Sequence, residues 1–168
     1  MSYETVYLAG GCYWGLEKLL SKIPGVIETS VGFSGGHVKN VGYREVSTGT
    51  TGHAETVKVV FDSNILSFTD LLLHFFKIHD PTTLNQQGND IGTQYRSAIF
   101  ATSKEQMLLA EDLIKKIDSS GALKHKIMTE VDTFNSFFPA EEAHQKYLQK
   151  YPDGYTCHFI RNIDFRDI

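Results

Sequence analysis

The chain has 168 residues, of which 41% are hydrophobic and 21% charged, and a formal net charge of −4. This length suits one globular domain, and the acidic balance gives no electrostatic basis for binding nucleic acid or an anionic membrane. No apolar run approaches the roughly 18 residues of a membrane span, and the first residues lack a secretory signal, so we expect a cytoplasmic protein.

The N-terminal third is predicted to alternate between strands and helices. Thr5–Ala9 alternates apolar and polar side chains, as a strand does. A helical apolar face follows and ends at Pro24-Gly25, and Val26–Phe33 again has an extended pattern. The stretch Gly32–Gly52 contains six glycines and is too long for a turn, so it is predicted to be a functional loop.

The middle of the chain repeats this alternation around a second loop. Thr56–Asp62 is predicted to be a strand, and Ser67 to cap the helix that follows. Asp80–Arg96 is a long polar loop. After it, Ser97–Thr102 has the pattern of a short strand, and Ser103 opens a helix that ends at a glycine.

The C-terminal part is predicted to hold one more strand and one more helix. Ile127–Phe134 is predicted to be the last central strand, and Pro139 to open a helix that ends near Tyr151. Residues from about 152 to 168 then form a mobile tail that carries Cys157. The whole pattern predicts an α/β (α+β) fold: a two-layer α/β sandwich with a mixed or antiparallel sheet and a site built from long loops.

Cys12 joins the first predicted strand to the first predicted helix, in the run Gly10-Gly11-Cys12-Tyr13-Trp14-Gly15. The N-terminus of a helix carries unsatisfied N–H groups and a partial positive charge, which favour a thiolate over a thiol. The aromatic neighbours can form the wall of an apolar pocket. A buried cysteine that acts as a small hydrophobic side chain is the alternative, and position alone does not decide between the two.

Four polar side chains in or beside the two loops are candidates for proton transfer and oxygen binding. They are Tyr43, Glu55, Asp90 and Tyr95. Tyrosine hydroxyls and a shielded carboxyl group donate protons where an oxygen leaves or gains negative charge. In an apolar pocket a glutamic acid has a raised pKa and is protonated near neutrality. A solvated Glu55 and an Asp90 that only shapes a turn are the alternatives.

The sequence offers one pattern that hints at a metal. His53-Ala54-Glu55 matches the first part of a zinc-deaminase signature, in which the histidine binds zinc and the glutamate transfers protons. That signature also needs a downstream Pro-Cys-x-x-Cys, which this chain lacks. We therefore expect no metal site.

Cys157 is the second of the two cysteines. In a predicted tail, it is either incidental or a resolving thiol that reaches an oxidised Cys12. The resolving role needs a mobile segment, which Pro152 and Gly154 favour.

The run Gly11-Cys12-Tyr13-Trp14-Gly15 resembles the Gly-Cys-Phe-Trp-Gly motif of the A-type peptide-methionine sulfoxide reductases. The resemblance continues in order along nearly the whole chain. The other segments that carry it are Gly32–Gly36, Tyr43–Val46, Gly49–Glu55, His79–Thr82, Asn89–Ser97 and Phe138–Gln145.

The resemblance implies a ferredoxin-like α/β plait and the reduction of methionine S-sulfoxide, protein-bound or free, to methionine. By matched position, Cys12 attacks the sulfoxide sulfur and Glu55 protonates its oxygen. Tyr43 and Tyr95 hydrogen-bond to that oxygen, and Asp90 belongs to the polar shell around it. No cofactor is implied: a cysteine sulfenic acid and an intramolecular disulfide carry the oxidation, and thioredoxin is the electron donor.

The resemblance also assigns the pocket wall and shows where this chain departs from the family. Tyr13 and Trp14 would enclose the substrate methyl group, although Tyr13 replaces the usual phenylalanine. Val41-Gly42 stands where the family often has Pro-Thr before the catalytic tyrosine. Ser47 occupies a position where many members have a cysteine, which leaves Cys157 as the candidate resolving residue.

Two other classes of function fit the same residues less well. A general thiol reductase or peroxidase would use the same cysteines but has less need for an acid beside an aromatic pocket. A binding module with incidental cysteines would have an unreactive Cys12, and this architecture hosts many functions. We expect a monomer whose partners are thioredoxin, oxidised proteins and free methionine sulfoxide.

Overall fold

A computed structural model describes residues 2–156, 158–166 and 168. Its strands and helices alternate from the N-terminus, as predicted. They are β1 Tyr3–Gly10, α1 Tyr13–Ser21, β2 Val26–Ser34, α2 Tyr43–Val46, β3 Ala54–Asp62, α3 Phe68–Ile78, β4 Gln86–Gln87, β5 Asp90–Ile91, β6 Ser97–Ala101, α4 Lys104–Ser120, β7 Glu130–Thr133, β8 Phe137–Pro139 and α5 Tyr147–Lys150. Short 3-10 helices occupy Thr93–Tyr95 and Glu142–His144.

A six-stranded mixed sheet forms the centre of the molecule, in the order β7-β6-β1-β3-β2-β8. Its pairs are antiparallel except β6 with β7, which are parallel and joined by α4. A parallel pair needs a crossover connection, and α4 supplies it. The predicted α/β class with a mixed sheet is therefore confirmed, and the ferredoxin-like description stays a prediction.

Helices α1, α3 and α4 bury their apolar faces in one hydrophobic core with the sheet. Leu16, Leu20, Phe75 and Phe76 have no exposed surface. The predicted helix starts are confirmed, because the Ser67 hydroxyl accepts a hydrogen bond from the Asp70 N–H at 3.1 Å. Ser103 caps α4 in the same way. Each such cap contributes about 1 kcal/mol to stability.

The prediction of a last central strand at Ile127–Phe134 is wrong in position and length. The strand β7 covers Glu130–Thr133 and lies at the edge of the sheet, paired only with β6. Its side chains are partly or fully exposed. An edge strand has a partner on one side only, so its length is set by the neighbouring strand and not by its own apolar pattern.

The prediction of a helix from Pro139 to Tyr151 is also wrong. Residues 137–139 pair with β2 as β8, where an edge strand tolerates a proline. A 3-10 helix and the short α5 follow, separated by Lys146, whose φ of 52° lies outside the helical region. Hydrogen bonds to distant residues hold this conformation: the Lys146 N–H donates to Glu17 Oε1 at 2.8 Å.

The described residues of the C-terminal tail pack against the body of the domain. The Arg161 N–H donates to the Lys77 carbonyl at 2.8 Å, and Phe165 is buried. A side chain on Gly15 would meet Thr156 and His158, so this glycine lets the tail approach α1 closely. Cys157 lies outside the described residues, and the mobility of the tail stays a prediction. Among the described helices, none is long and apolar enough to cross a membrane.

Candidate active site

Cys12 lies at the junction between the end of β1 and the start of α1. It is the N-cap residue of α1 and is buried, with 9% of its surface exposed. The preceding Gly11 has a φ of +89°, a conformation that side chains other than glycine rarely adopt. This turn brings the thiol to the positive end of the α1 dipole, as the sequence predicted.

Glu55 contacts the start of α1 from the strand that neighbours β1. Antiparallel pairing sets Ala9 opposite Thr56, so Glu55 lies at the level where β1 ends. Its carboxylate oxygen Oε1 accepts a hydrogen bond from the Tyr13 N–H at 3.1 Å. Since Tyr13 follows Cys12 directly, this bond ties the carboxyl group to the helix start that carries the thiol.

The environment of Glu55 keeps its carboxyl group protonated at neutral pH. The residue is 1% exposed. Burial is the main cause that raises the pKa of Glu55 to about 8; the hydrogen bond from the Tyr13 N–H opposes this rise, and the negative charge of Asp90 adds to it. The group can therefore donate a proton to a bound oxygen, which a solvated glutamate cannot do near pH 7.

Tyr43 and Tyr95 come from the two long loops and meet beside Glu55. Each of them acts on the pKa of the other, so the two phenols are neighbours. Burial is the largest cause of the raised pKa of both tyrosines, and the charge of Glu55 is the next. Both phenols therefore stay protonated and can donate hydrogen bonds. The Tyr43 N–H also donates to Glu141 Oε1 at 3.1 Å, which fixes the start of α2.

Asp90 lies at the start of β5, in the hairpin that β4 and β5 form. Its charge acts on Glu55, Tyr43 and Tyr95, so it belongs to the same group. Asp90 Oδ2 accepts a hydrogen bond from the hydroxyl of Tyr155 at 3.1 Å. This contact brings the tail residue Tyr155 to the site, a residue that the sequence did not single out.

Trp14 and Tyr13 have different surroundings, although they are neighbours on α1. The indole of Trp14 is half-buried and stacks on Tyr147 with ring centroids 3.9 Å apart. Tyr13 has no exposed surface and packs against Phe33. In this conformation, Trp14 offers surface that a substrate can reach and Tyr13 does not.

His144 and Glu141 were missed as individual residues by sequence reasoning. His144 Nδ1 accepts a hydrogen bond from Trp14 Nε1 at 3.0 Å, and its ring stacks on Tyr43. Both residues lie in a segment that resembles the family, Phe138–Gln145, but only their contacts across the fold reveal a role. The periodicity of apolar residues does not predict such contacts, because the segment has no regular secondary structure throughout its length.

His53 forms hydrogen bonds with the backbone of the glycine-rich stretch Gly32–Gly52 and does not lie in a metal site. Its Nδ1 accepts from the Gly36 N–H at 3.1 Å, and its Nε2 donates to the Val38 carbonyl at 2.6 Å. Both ring nitrogens are thus engaged with backbone. Over residues 2–156, 158–166 and 168, no group of three potential metal-ligating side chains is present.

Comparisons with known proteins agree with this geometry. A family model described as peptide methionine sulfoxide reductase matches residues 4–167. The peptide methionine sulfoxide reductase MsrA 1 of Mesorhizobium japonicum is 52% identical over 160 residues, which cover 95% of this chain and 91% of that protein. The chain belongs to the peptide methionine sulfoxide reductase family. It is accordingly an oxidoreductase that acts on methionine sulfoxide.

Solved structures support the same assignment. Reduced Mxr1 from Saccharomyces cerevisiae superposes with a TM-score of 0.89 at 35% identity, over 95% of this chain and 93% of that one. Mxr1 in complex with Trx2 superposes with a TM-score of 0.65 at 23% identity, over 95% and 91% of the two chains. The second match shows the fold alone.

Tyr13 stands where the family usually has phenylalanine. The effect of its additional hydroxyl on stability can be tested. The hydroxyl is buried and has no hydrogen-bond partner among the described residues. An unsatisfied buried hydroxyl costs about 1–3 kcal/mol. We expect Tyr13→Phe to raise the free energy of unfolding by about this amount and to retain reductase activity, measured by urea unfolding and a turnover assay.

A surface substitution controls for the general effect of removing a phenol hydroxyl. Tyr151 is 58% exposed, so Tyr151→Phe should leave the urea midpoint unchanged. A lower midpoint for Tyr13→Phe than for the wild type would contradict the prediction, because it would show that the hydroxyl contributes a favourable interaction.

Proposed function

We propose that this reductase acts on the S epimer of methionine sulfoxide, protein-bound or free, through a cysteine sulfenic acid. The Cys12 thiolate attacks the sulfoxide sulfur while the oxygen takes up a proton. The attack forms a bond between the cysteine sulfur and the substrate sulfur. This bond breaks as the protonated oxygen passes from the substrate sulfur to the cysteine sulfur, so methionine leaves and Cys12 becomes a sulfenic acid. The substrate sulfur gains two electrons and the cysteine sulfur loses two.

The buried carboxyl group of Glu55 is the observation that carries the proposal. It is hydrogen-bonded to the N–H next to Cys12, and burial raises its pKa to about 8. When the S–O bond breaks, its electrons go to the oxygen. This is favourable only when a proton neutralises the negative charge on that oxygen. Glu55 therefore acts as the general acid, bonded to the residue that follows the nucleophile.

Tyr43 and Tyr95 bind the sulfoxide oxygen before and during proton transfer. They are neighbours that act on each other's pKa, and both stay protonated because burial raises their pKa. Two preorganised phenols beside a neutral carboxylic acid form a pocket for a developing oxyanion. Asp90 supports this pocket by raising the pKa of Glu55.

Trp14 receives the methyl group of the substrate. Its indole lies against Tyr147, and Trp14 is two residues from Cys12 in the chain, so an apolar wall lies near the nucleophile. Tyr13 has no exposed surface and lies behind this wall, in the core. Only one epimer at sulfur can direct its oxygen to Glu55 and its methyl to Trp14 at the same time, which gives the stereospecificity.

Cys157 is proposed to resolve the sulfenic acid. Its thiol would displace water from Cys12 to give an intramolecular disulfide, which a dithiol protein then reduces by exchange. The chain has only two cysteines, so internal recycling has no other candidate. Yeast Mxr1, which resembles this chain, has been solved in complex with Trx2, and this supports thioredoxin as the donor.

We further propose that the protein is a cytoplasmic monomer.

An epimer-resolved assay tests this function. The purified protein is given the separated S and R epimers of methionine sulfoxide, first with dithiothreitol and then with thioredoxin, its reductase and NADPH. We expect reduction of the S epimer with both donors. Placing the sulfoxide oxygen unpaired against an apolar wall costs about 1–3 kcal/mol, so the R epimer should react at least about tenfold more slowly.

Cys157→Ser separates the chemistry from its recycling. It should release about one methionine per enzyme and then stall with thioredoxin, yet continue with dithiothreitol, which reaches Cys12 directly. Ser47→Ala is the matched control, because the exposed Ser47 hydroxyl donates to the Arg44 carbonyl within its own turn. Equal rates for the two epimers would refute the proposed pocket, and full thioredoxin-supported turnover by Cys157→Ser would refute the resolving role.

A further inference from the structure

His144 contacts three aromatic side chains of the candidate site, Tyr13, Trp14 and Tyr43, here called the site aromatic cluster. Its ring stacks on Tyr43 with centroids 4.6 Å apart and an interplanar angle of 23°. It lies 5.5 Å from Trp14 and 5.7 Å from Tyr13. The His144 side chain is 17% exposed. It therefore lies between the residue proposed to bind the substrate methyl group and one proposed to bind its oxygen.

The hydrogen bond with Trp14 shows which nitrogen of the His144 ring carries the proton. An indole N–H can only donate, so His144 Nδ1 accepts and carries no proton. In a neutral ring the proton is then on Nε2, which lies 3.8 Å from Glu141 Oε2. Burial lowers the pKa of His144 and outweighs the opposing charge of Glu141, so the neutral ring is favoured.

The position of His144 is set by contacts that do not involve the site aromatic cluster. The side chain of Gln145 accepts from the Val31 N–H and donates to the Val31 carbonyl, both at 2.8 Å, as a strand partner would. On the next residue, the Lys146 N–H donates to the buried carboxylate of Glu17. The backbone that follows the histidine is thus anchored to β2 and α1.

From these contacts we propose that His144 is a positioning residue for substrate recognition, which orients Trp14 through a hydrogen bond and Tyr43 through ring stacking. The inference rests on the proposed function, since it assigns the two halves of the substrate pocket to these side chains. A free indole on a helix surface can rotate about its side-chain bonds. Fixing Nε1 removes this freedom and keeps the distance between the methyl and oxygen pockets constant.

Two substitutions separate the hydrogen bond from the stacking. His144→Asn retains an acceptor near the position of Nδ1, whereas His144→Phe retains a flat ring and loses the acceptor. Trp14 is the only tryptophan in the chain, so intrinsic fluorescence reports on it alone. We expect His144→Phe to increase quenching by acrylamide and to raise KM for the S-sulfoxide about three- to tenfold, the loss of one hydrogen bond.

The other variants define the expected pattern. In His144→Asn, the quenching and KM should both be much closer to the wild-type values than they are in His144→Phe. His125→Phe is the matched control, because His125 is an exposed histidine in the connection between α4 and β7. It should change neither quenching nor KM. In the Trp14→Phe background, His144→Phe should add less to KM than it does in the wild-type background, because part of its effect acts through Trp14.

A measurement on the wild-type protein keeps the proposal testable if His144→Phe does not fold. Histidine 15N spectra identify the protonated ring nitrogen, and we expect Nδ1 of His144 to be unprotonated at neutral pH. A protonated Nδ1, unchanged quenching and KM in a folded His144→Phe variant, or a His144→Asn variant as impaired as His144→Phe would each overturn the proposal. The spectra and the quenching do not require turnover, so a failure of the proposed function would be seen separately, in the wild-type assay.

Discussion

Cys12→Ser is expected to reduce sulfoxide reduction to the level of the uncatalysed reaction while the fold is kept. A serine hydroxyl is a weak nucleophile at its ordinary pKa, and it cannot form the sulfenic acid that carries the oxidation. The position itself tolerates serine, because Cys12 is the N-cap residue of α1 and serine is among the preferred N-cap residues. Single-turnover release of methionine is the direct measurement.

The control for Cys12→Ser is the other cysteine variant. Cys157→Ser retains Cys12 and should release about one methionine per enzyme, so the two variants differ in the first chemical step and not in the number of thiols. Far-UV circular dichroism and the thermal midpoint establish that Cys12→Ser is folded. Methionine release by a folded Cys12→Ser protein would show that another group attacks the sulfoxide.

Glu55→Gln is expected to lower the rate of the chemical step by roughly two to four orders of magnitude, the range for loss of a general acid. The amide preserves the shape of the side chain and can still accept the Tyr13 N–H, but it has no acidic proton to transfer. The reduction of the disulfide that follows should be unaffected. Rapid-quench measurement of methionine release in a single turnover separates the two steps.

The pH dependence gives an independent signature of the same group. Burial raises the pKa of Glu55 to about 8, so the carboxyl group is protonated below this pH and loses its proton above it. Because the protonated form is the active one, the single-turnover rate should fall as the pH rises through about 8. Glu55→Gln should lack this decrease, since the amide does not titrate.

An exposed carboxylate provides the matched control for Glu55→Gln. Glu105 lies in the first turn of α4 and is exposed, so Glu105→Gln should leave both the rate and its pH profile unchanged. A single-turnover rate for Glu55→Gln within about tenfold of the wild-type rate would move the acid role to Tyr43 or Tyr95.

The residues that could be predicted from the sequence are those whose role depends on near neighbours in the chain. Cys12 was placed at a helix start because a strand pattern, two glycines and a helical apolar face follow one another within a few residues. Ser67 and Ser103 were placed as caps because a cap bonds to a residue three positions away. Motifs in register along the chain indicated the family for the same reason: each motif is local.

Tertiary structure decided the features that depend on residues far apart in the chain. Nothing local distinguishes Pro139 at a helix start from Pro139 in an edge strand, and pairing with β2 made it a strand. Burial raised the pKa of Glu55, and the Tyr13 N–H, 42 residues away, tied its carboxyl group to the start of α1. His144 gained its role from Trp14, 130 residues away. Burial and long-range hydrogen bonds depend on how the whole chain packs, so periodicity and spacing could not predict them.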